Sequence, residues 1–244
     1  MINTLKKFPL FFAFFLLFSC DNFNFRLSDS EIAAGLESAL EVGSKYALNT
    51  LGKENGFFLD QTVKILLPQD MATIVKQISN IPGFGNVIKE IEEQLILTVN
   101  RAAEASIEGV IPIVIDAITG MTIQDAKSIL FSSNPIAATN YLREKTYAPL
   151  CGVCRSIIED ALNKKIVLNT SAQDVWKNFT NCYNQVATIP FVKLDPIETN
   201  LALYTTQKAL DAVFLKVGDE EVKIRTNASA RINDLLRKVF GQLD

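Results

Sequence analysis

The chain has 244 residues, 48% hydrophobic and 21% charged, with 24 basic against 27 acidic side chains and no histidine. A formal charge of −3 lacks the basic excess of a nucleic-acid-binding face. Without an imidazole, Ser-His-Asp and Cys-His nucleophile systems, HExxH zinc sites and Glu-x-x-His di-iron sites are excluded.

Met1 to Cys20 reads as an address. Lys6 and Lys7 form a positive start, and Phe8 to Phe18 is an uncharged stretch of 11 residues. That is shorter than the roughly 20 apolar residues a membrane-spanning helix needs, and it fits the apolar region of a secretory signal. The ending Leu17-Phe18-Ser19-Cys20 resembles a bacterial lipobox, with Phe18 bulkier than usual. This resemblance implies cleavage before Cys20 and diacylglyceryl transfer to its thiol, which makes the membrane a partner. An ordinary signal that ends near a cysteine is the alternative. Asp21 follows, and its sorting effect differs between hosts, so the choice of membrane stays open. The expected organisation is a signal peptide over 1–19, a tether over 20–27 and a helical domain over 28–241. Loss of Lys6 and Lys7 leaves 22 basic side chains against 27 acidic ones, a mature charge of −5.

Ser28-x-x-Glu31 has the spacing of a capping box, and Ile32, Leu36, Leu40, Gly43, Ala47 and Leu51 then step along one helical face to a C-cap at Gly52. A short helix is expected over 69–81, ended by Pro82-Gly83, and a long one over 85–108. The nearly continuous apolar run from Val110 to Ile118 predicts a buried central helix. Thr122-x-x-Asp125 caps a helix to Phe131. Pro135 and Pro149 are each expected to start a helix, ending near Tyr147 and Lys164. Further helices are expected over 171–186 and 196–225, with a last one capped by Asn227. Ile65-Leu66-Leu67 and Ile166-Val167-Leu168 are short extended pieces, too small for a sheet. The fold class is all-α: a single multi-helix domain of about nine or ten helices after the signal peptide.

Several strings carry a resemblance when taken in order. They include Gly35-Leu-Glu-Ser-Ala-Leu40, Asn55-Gly-Phe57, Ile65-Leu-Leu-Pro68, Asn100-Arg-Ala-Ala-Glu104 and Asp125-Ala-Lys-Ser-Ile-Leu130. Ala137-Ala-Thr-Asn-Tyr141, Ile189-Pro-Phe-Val192, Tyr204-Thr-Thr-Gln-Lys-Ala-Leu210, Glu220-Glu-Val-Lys-Ile-Arg225 and Leu235-Leu-Arg-Lys-Val-Phe-Gly241 follow. Together they resemble the bacterial domain-of-unknown-function family 4197 over nearly all of the mature chain. The resemblance implies a helical, exported protein and supplies no catalytic residues. Cys151 and Cys154 depart from that family's pattern.

Cys151-Gly-Val-Cys154 resembles a thioredoxin motif, in which a helix N-terminus activates the first thiol. That fold needs a buried strand just before the motif, whereas residues 137–146 have a helical pattern. Helical stepping places Cys151 and Cys154 on one apolar stripe and Cys182 on the next. An antiparallel pairing of the two helices then brings Cys154 opposite Cys182, an expected disulfide in an oxidising envelope. The carboxylate groups at Glu90-x-Glu92-Glu93, Glu159-Asp160 and Asp219-Glu220-Glu221 have Lys or Arg nearby and read as solvated helix faces. Arg225, Arg231, Arg237 and Lys238 give the C-terminus a sparse basic tilt. No cofactor and no metal site is expected. The reading favours a lipid-anchored, non-enzymatic domain that binds a protein partner or an apolar ligand. The alternative is an envelope enzyme, either thiol-redox or carboxylate-dependent.

Overall fold

Ser28 opens the first helix through a reciprocal cap. Its hydroxyl accepts from Glu31 N at 3.2 Å, and Glu31 Oε2 accepts from Ser28 N at 2.9 Å. In the computed structural model, which describes residues 27–78, 85–167, 170–187 and 196–244, this helix is α1, Asp29–Leu51. Eight more α-helices follow among the described residues. They are α2 (Gln69–Ile78), α3 (Gly85–Ser106), α4 (Val110–Thr119), α5 (Ile123–Leu130), α6 (Ala137–Asn163), α7 (Ala172–Ala187), α8 (Leu201–Thr226) and α9 (Asp234–Phe240). One small antiparallel pair, β1 (Lys165–Val167) with β2 (Thr170–Ser171), joins α6 to α7. The protein is all-α, and no single described helix is long and apolar enough to cross a membrane.

The central helix is α8, not the apolar run at 110–118. α8 packs against α6, α1 and α3, and buries residues around most of its circumference. Its sequence hides this role because much of the buried surface is Ala, Thr and Gly. The hydroxyls of Thr205 and Thr206 return to the carbonyls of Leu201 and Ala202 at 2.8 and 2.7 Å, so neither is buried without a partner. α8 begins at Leu201 with Asn200 as N-cap, five residues later than Pro196 suggests, and Asn227 caps a short 3₁₀ turn while Asn233 caps α9. α1 approaches α9 closely through Gly35, where an added Cβ would stand 2.4 Å from Val239 Cγ2.

α6 runs unbroken through Pro149, where the sequence pattern predicts a break between two helices. Pro149 has no N–H to give the Lys145 carbonyl, but both residues lie on the exposed face, so that carbonyl meets solvent rather than core. The opposite face continues across the proline as Leu142, Thr146, Leu150, Cys154, Ile158 and Leu162, all buried at four-residue steps. Four residues advance a helix slightly more than one turn, so this stripe winds around α6. It meets α8 near its start and the end of α3 further on.

The stretch between α1 and α2 is held by side chains of α3. Glu104 Oε1 accepts from Phe57 N and Phe58 N at 3.2 and 3.5 Å, while Arg101 donates to Glu104 at 2.6 Å and to Asn55 Oδ1 at 2.9 Å. Asn55 adopts a φ of 66°, a region that Asn tolerates better than most residues. At Gly56 an added Cβ would lie 2.4 Å from the Thr50 carbonyl oxygen, so only glycine fits. Asn100 then takes both main-chain groups of Ile65, accepting from its N–H at 2.9 Å and donating to its C=O at 2.8 Å. One side-chain amide thus does the work of a neighbouring strand.

Candidate functional site

α4 carries apolar side chains on its solvent side. A helix this apolar is expected to be buried on all sides, yet only Val110, Val114 and Ile118 face the core. Ile111 is 42% exposed, Pro112 is exposed and Ile115 is half-buried. The physical reason is position: α4 lies against α6 and α1, and among the described residues no other α-helix packs extensively on it.

A groove of about 780 Å³ runs between α4, the first turn of α5 and the exposed face of α6. Pro112, Ile113 and Ala117 form one wall, and Tyr141 and Pro149 the other. Asp116, Asp125 and Lys145 stand among them. Lys145 Nζ lies 5.6 Å from the centre of the Tyr141 ring. Asp125 closes the second capping box, accepting from the Thr122 hydroxyl at 2.6 Å, which holds its carboxyl below the usual range. Burial and the nearby Asp125 charge push the Tyr141 phenol up. The groove therefore has aliphatic and aromatic sides with charges of both signs, and its volume is that of a small-molecule site.

Cys151 and Cys154 lie in the middle of α6, four turns from its start, and both are free thiols. Cys154 is fully buried, with its sulfur 4.0 Å from the Ser106 carbonyl, and burial pushes its thiol up to about 11. The field that activates a thiol at a helix start does not reach this position. Cys182 belongs to α7, but its side chain lies outside the described residues, as does Cys20. Among the described residues no three His, Cys, Asp or Glu side chains are grouped to hold a metal ion.

Three of the clustered carboxylates take cationic partners: Glu159 pairs with Arg155 at 2.7 Å, Glu220 with Lys223 at 2.5 Å and Glu221 with Arg225 at 2.9 Å. Glu221 does more than its sequence spacing suggests. The start of α6 has no side-chain cap of its own, and Glu221 supplies one from α8, accepting from Ala138 N, Thr139 N and the Thr139 hydroxyl at 3.0, 2.7 and 2.8 Å. Arg225 completes the link by donating to the carbonyls of Leu130 and Ile129 at the end of α5. The basic tilt of the C-terminus is not a surface feature at two of its four positions: Arg225 and Arg231 are buried. Arg231 donates to the Ile224 and Arg225 carbonyls at the end of α8, both at 3.0 Å, and to Asp244 at 2.6 and 2.7 Å.

These networks bring together strings far apart in sequence: 55–57 and 65–68 onto 100–104, and 125–130 and 137–141 onto 220–225. Their polar side chains are consumed in holding loops and helix ends. Glu104, Glu221, Asn100 and Arg225 give no periodic signal as buried residues, because a charged or amide side chain on a helix is normally solvated.

A family model described as a protein of unknown function (DUF4197) matches residues 26–241. No curated protein and no solved structure matches the chain.

Proposed function

The chain belongs to the DUF4197 family, and from that premise we propose that it is a lipid-anchored bacterial envelope protein whose helical domain binds an apolar ligand, without catalysis, in the groove between α4 and α6. The observation that carries this reading is the half-exposed α4, whose uncovered side sets Pro112, Ile113 and Ala117, beside Asp116, into the groove. The lipobox-like Leu17-Phe18-Ser19-Cys20 supports the anchor. A tether from Cys20 to Leu27 spans at most about 25 Å when extended. The domain would therefore work close to the bilayer surface. α1 begins beside α5, where Asp29 pairs with Lys127 at 2.9 Å, and the first turn of α5 lines the groove. An acyl chain from the adjacent membrane fits such a site, with Lys145, Asp116 and Asp125 at hand for a polar headgroup. Thiol-redox chemistry is disfavoured by the mid-helix position of Cys151 and Cys154 and by the raised value of the Cys154 thiol.

Two measurements test the two halves separately. Labelled palmitate should enter the wild-type chain and not Cys20→Ala; equal labelling would remove the anchor. Native mass spectrometry should find lipid-sized mass on the chain exported behind a cleavable, non-lipoprotein signal. Ala117→Asp should abolish that mass while leaving the helical circular dichroism unchanged. A bare protein mass in the unmutated chain would remove the ligand-binding half and leave protein partners as the function to pursue.

A further inference from the structure

A second surface, apart from the α4–α6 groove, has the chemistry of a peptide site. Residues 62–67 alternate in burial: Val63, Ile65 and Leu67 face the core, while Thr62 and Leu66 are exposed and Lys64 is half-buried. That is the period of extended chain, and among the described residues no strand pairs with it. One edge is satisfied by Asn100, which takes the N–H and C=O of Ile65. The Lys64 N–H is taken by the Asp60 carbonyl at 2.8 Å. Main-chain groups of neighbouring extended residues point to opposite sides, so the Lys64 carbonyl and the Leu66 N–H and C=O face the other edge. There Tyr204 Oη donates to the Leu66 carbonyl at 3.0 Å. The Lys64 carbonyl and the Leu66 N–H take no hydrogen-bond partner among the described residues.

This open edge borders a groove of about 360 Å³ whose far wall is one face of α8: Tyr204, Lys208, Asp211, Ala212 and Leu215. Leu66 and Leu215 are 58% and 46% exposed. The charges are unbalanced. Asp211 is neutralised by Arg143 at 2.5 Å, and Asp60, nearby, by Lys216 at 2.6 Å. Lys64 and Lys208 stand over the rings of Phe58 and Tyr204, at 4.3 and 5.7 Å, and neither has a carboxylate partner among the described residues.

We propose that this groove binds an extended acidic peptide segment of a protein partner, which lies as an added strand along Lys64–Leu66. One residue of the partner donates its N–H to the Lys64 carbonyl and accepts from the Leu66 N–H. A carboxylate side chain of the segment pairs with Lys64 and Lys208, and an apolar side chain rests between Leu66 and Leu215. The positive groove complements an acidic strand and disfavours a basic or purely apolar one.

The test uses the full chain, extracted in detergent and immobilised by a C-terminal tag, panned with a random hexapeptide phage library. Enriched peptides should combine Asp or Glu with apolar residues at alternate positions. Their affinity should fall roughly tenfold or more with Lys64→Glu together with Lys208→Glu, and also with Leu215→Glu, which keeps the test open should the Lys64 change disturb its loop. Methylating one backbone nitrogen of the peptide should likewise abolish binding, whereas Lys89→Glu, an exposed lysine on α3, should change nothing. The proposal is overturned by no enrichment, by enriched peptides without carboxylates, or by peptides that bind the groove variants as tightly as the unmodified chain.

Discussion

Glu221→Ala should be among the most damaging single substitutions in this protein. The carboxylate is buried and accepts from two main-chain N–H groups, one hydroxyl and the Arg225 guanidinium. Its removal leaves Ala138 N and Thr139 N without an acceptor at the start of α6. It also leaves Arg225, itself buried, with carbonyls but no counter-charge. Removing one partner of a buried ion pair destabilises by about 3–5 kcal/mol. For a domain of this size, that lowers the melting temperature by about 6–20 °C. Glu221→Gln keeps an acceptor but loses the charge, and should cost about 1.5–3 kcal/mol. Glu221→Met with Arg225→Met removes both charges and should be less damaging than Glu221→Ala alone. The assay is urea unfolding of the chain exported without its lipid anchor, followed by fluorescence of Trp176, the single and buried tryptophan, and by circular dichroism. A Glu221→Ala change of less than about 1 kcal/mol, the net worth of one ordinary hydrogen bond, would refute the view that this carboxylate joins α5, α6 and α8. So would a double variant as unstable as the sum of the two single ones.

Ser44 on α1 holds a buried hydroxyl with no hydrogen-bond partner among the described residues, so Ser44→Ala should raise stability by about 1 kcal/mol. A lowered melting temperature would show that the hydroxyl is satisfied after all. Lys238 and then the Ser28 cap hold the Glu31 carboxyl at about 2, and Lys216 and then Thr62 hold that of Asp60 at about 2, against ordinary values of 4.5 and 3.8. Both are depressed on folding, so their contribution is complete above about pH 5 and is lost as the pH falls towards 2. Lys216→Ala with Lys238→Ala should flatten that acid limb in a series of unfolding curves, and an unchanged limb would remove these pairs as its cause. Cys154, buried and pushed up to about 11, should resist iodoacetamide at neutral pH in the folded chain, while half-buried Cys151 reacts first. Peptide mass mapping that finds equal rates would contradict the burial.

The helical class, the family likeness and the local starts of helices are legible in the chain before any packing is known. The Ser28–Glu31 and Thr122–Asp125 boxes are legible because a cap is an interaction over three residues, complete within its own string. Which helix lies at the centre depends on packing between distant segments. Val110–Thr119 is the more apolar, but α8 is the more buried, because Ala, Gly and back-bonded Thr let neighbouring helices approach from several sides. Packing also decides that α6 passes through Pro149, since the proline falls on a solvent face and the stripe around Leu150 stays packed. The roles of Glu104 and Glu221 were out of reach for the same reason. Each carboxylate is buried against main-chain donors 46 to 83 residues away, and no local pattern records a partner that distant. Both grooves belong to this second class: each forms between elements remote in sequence, and its walls meet only once the core has set the distance between them.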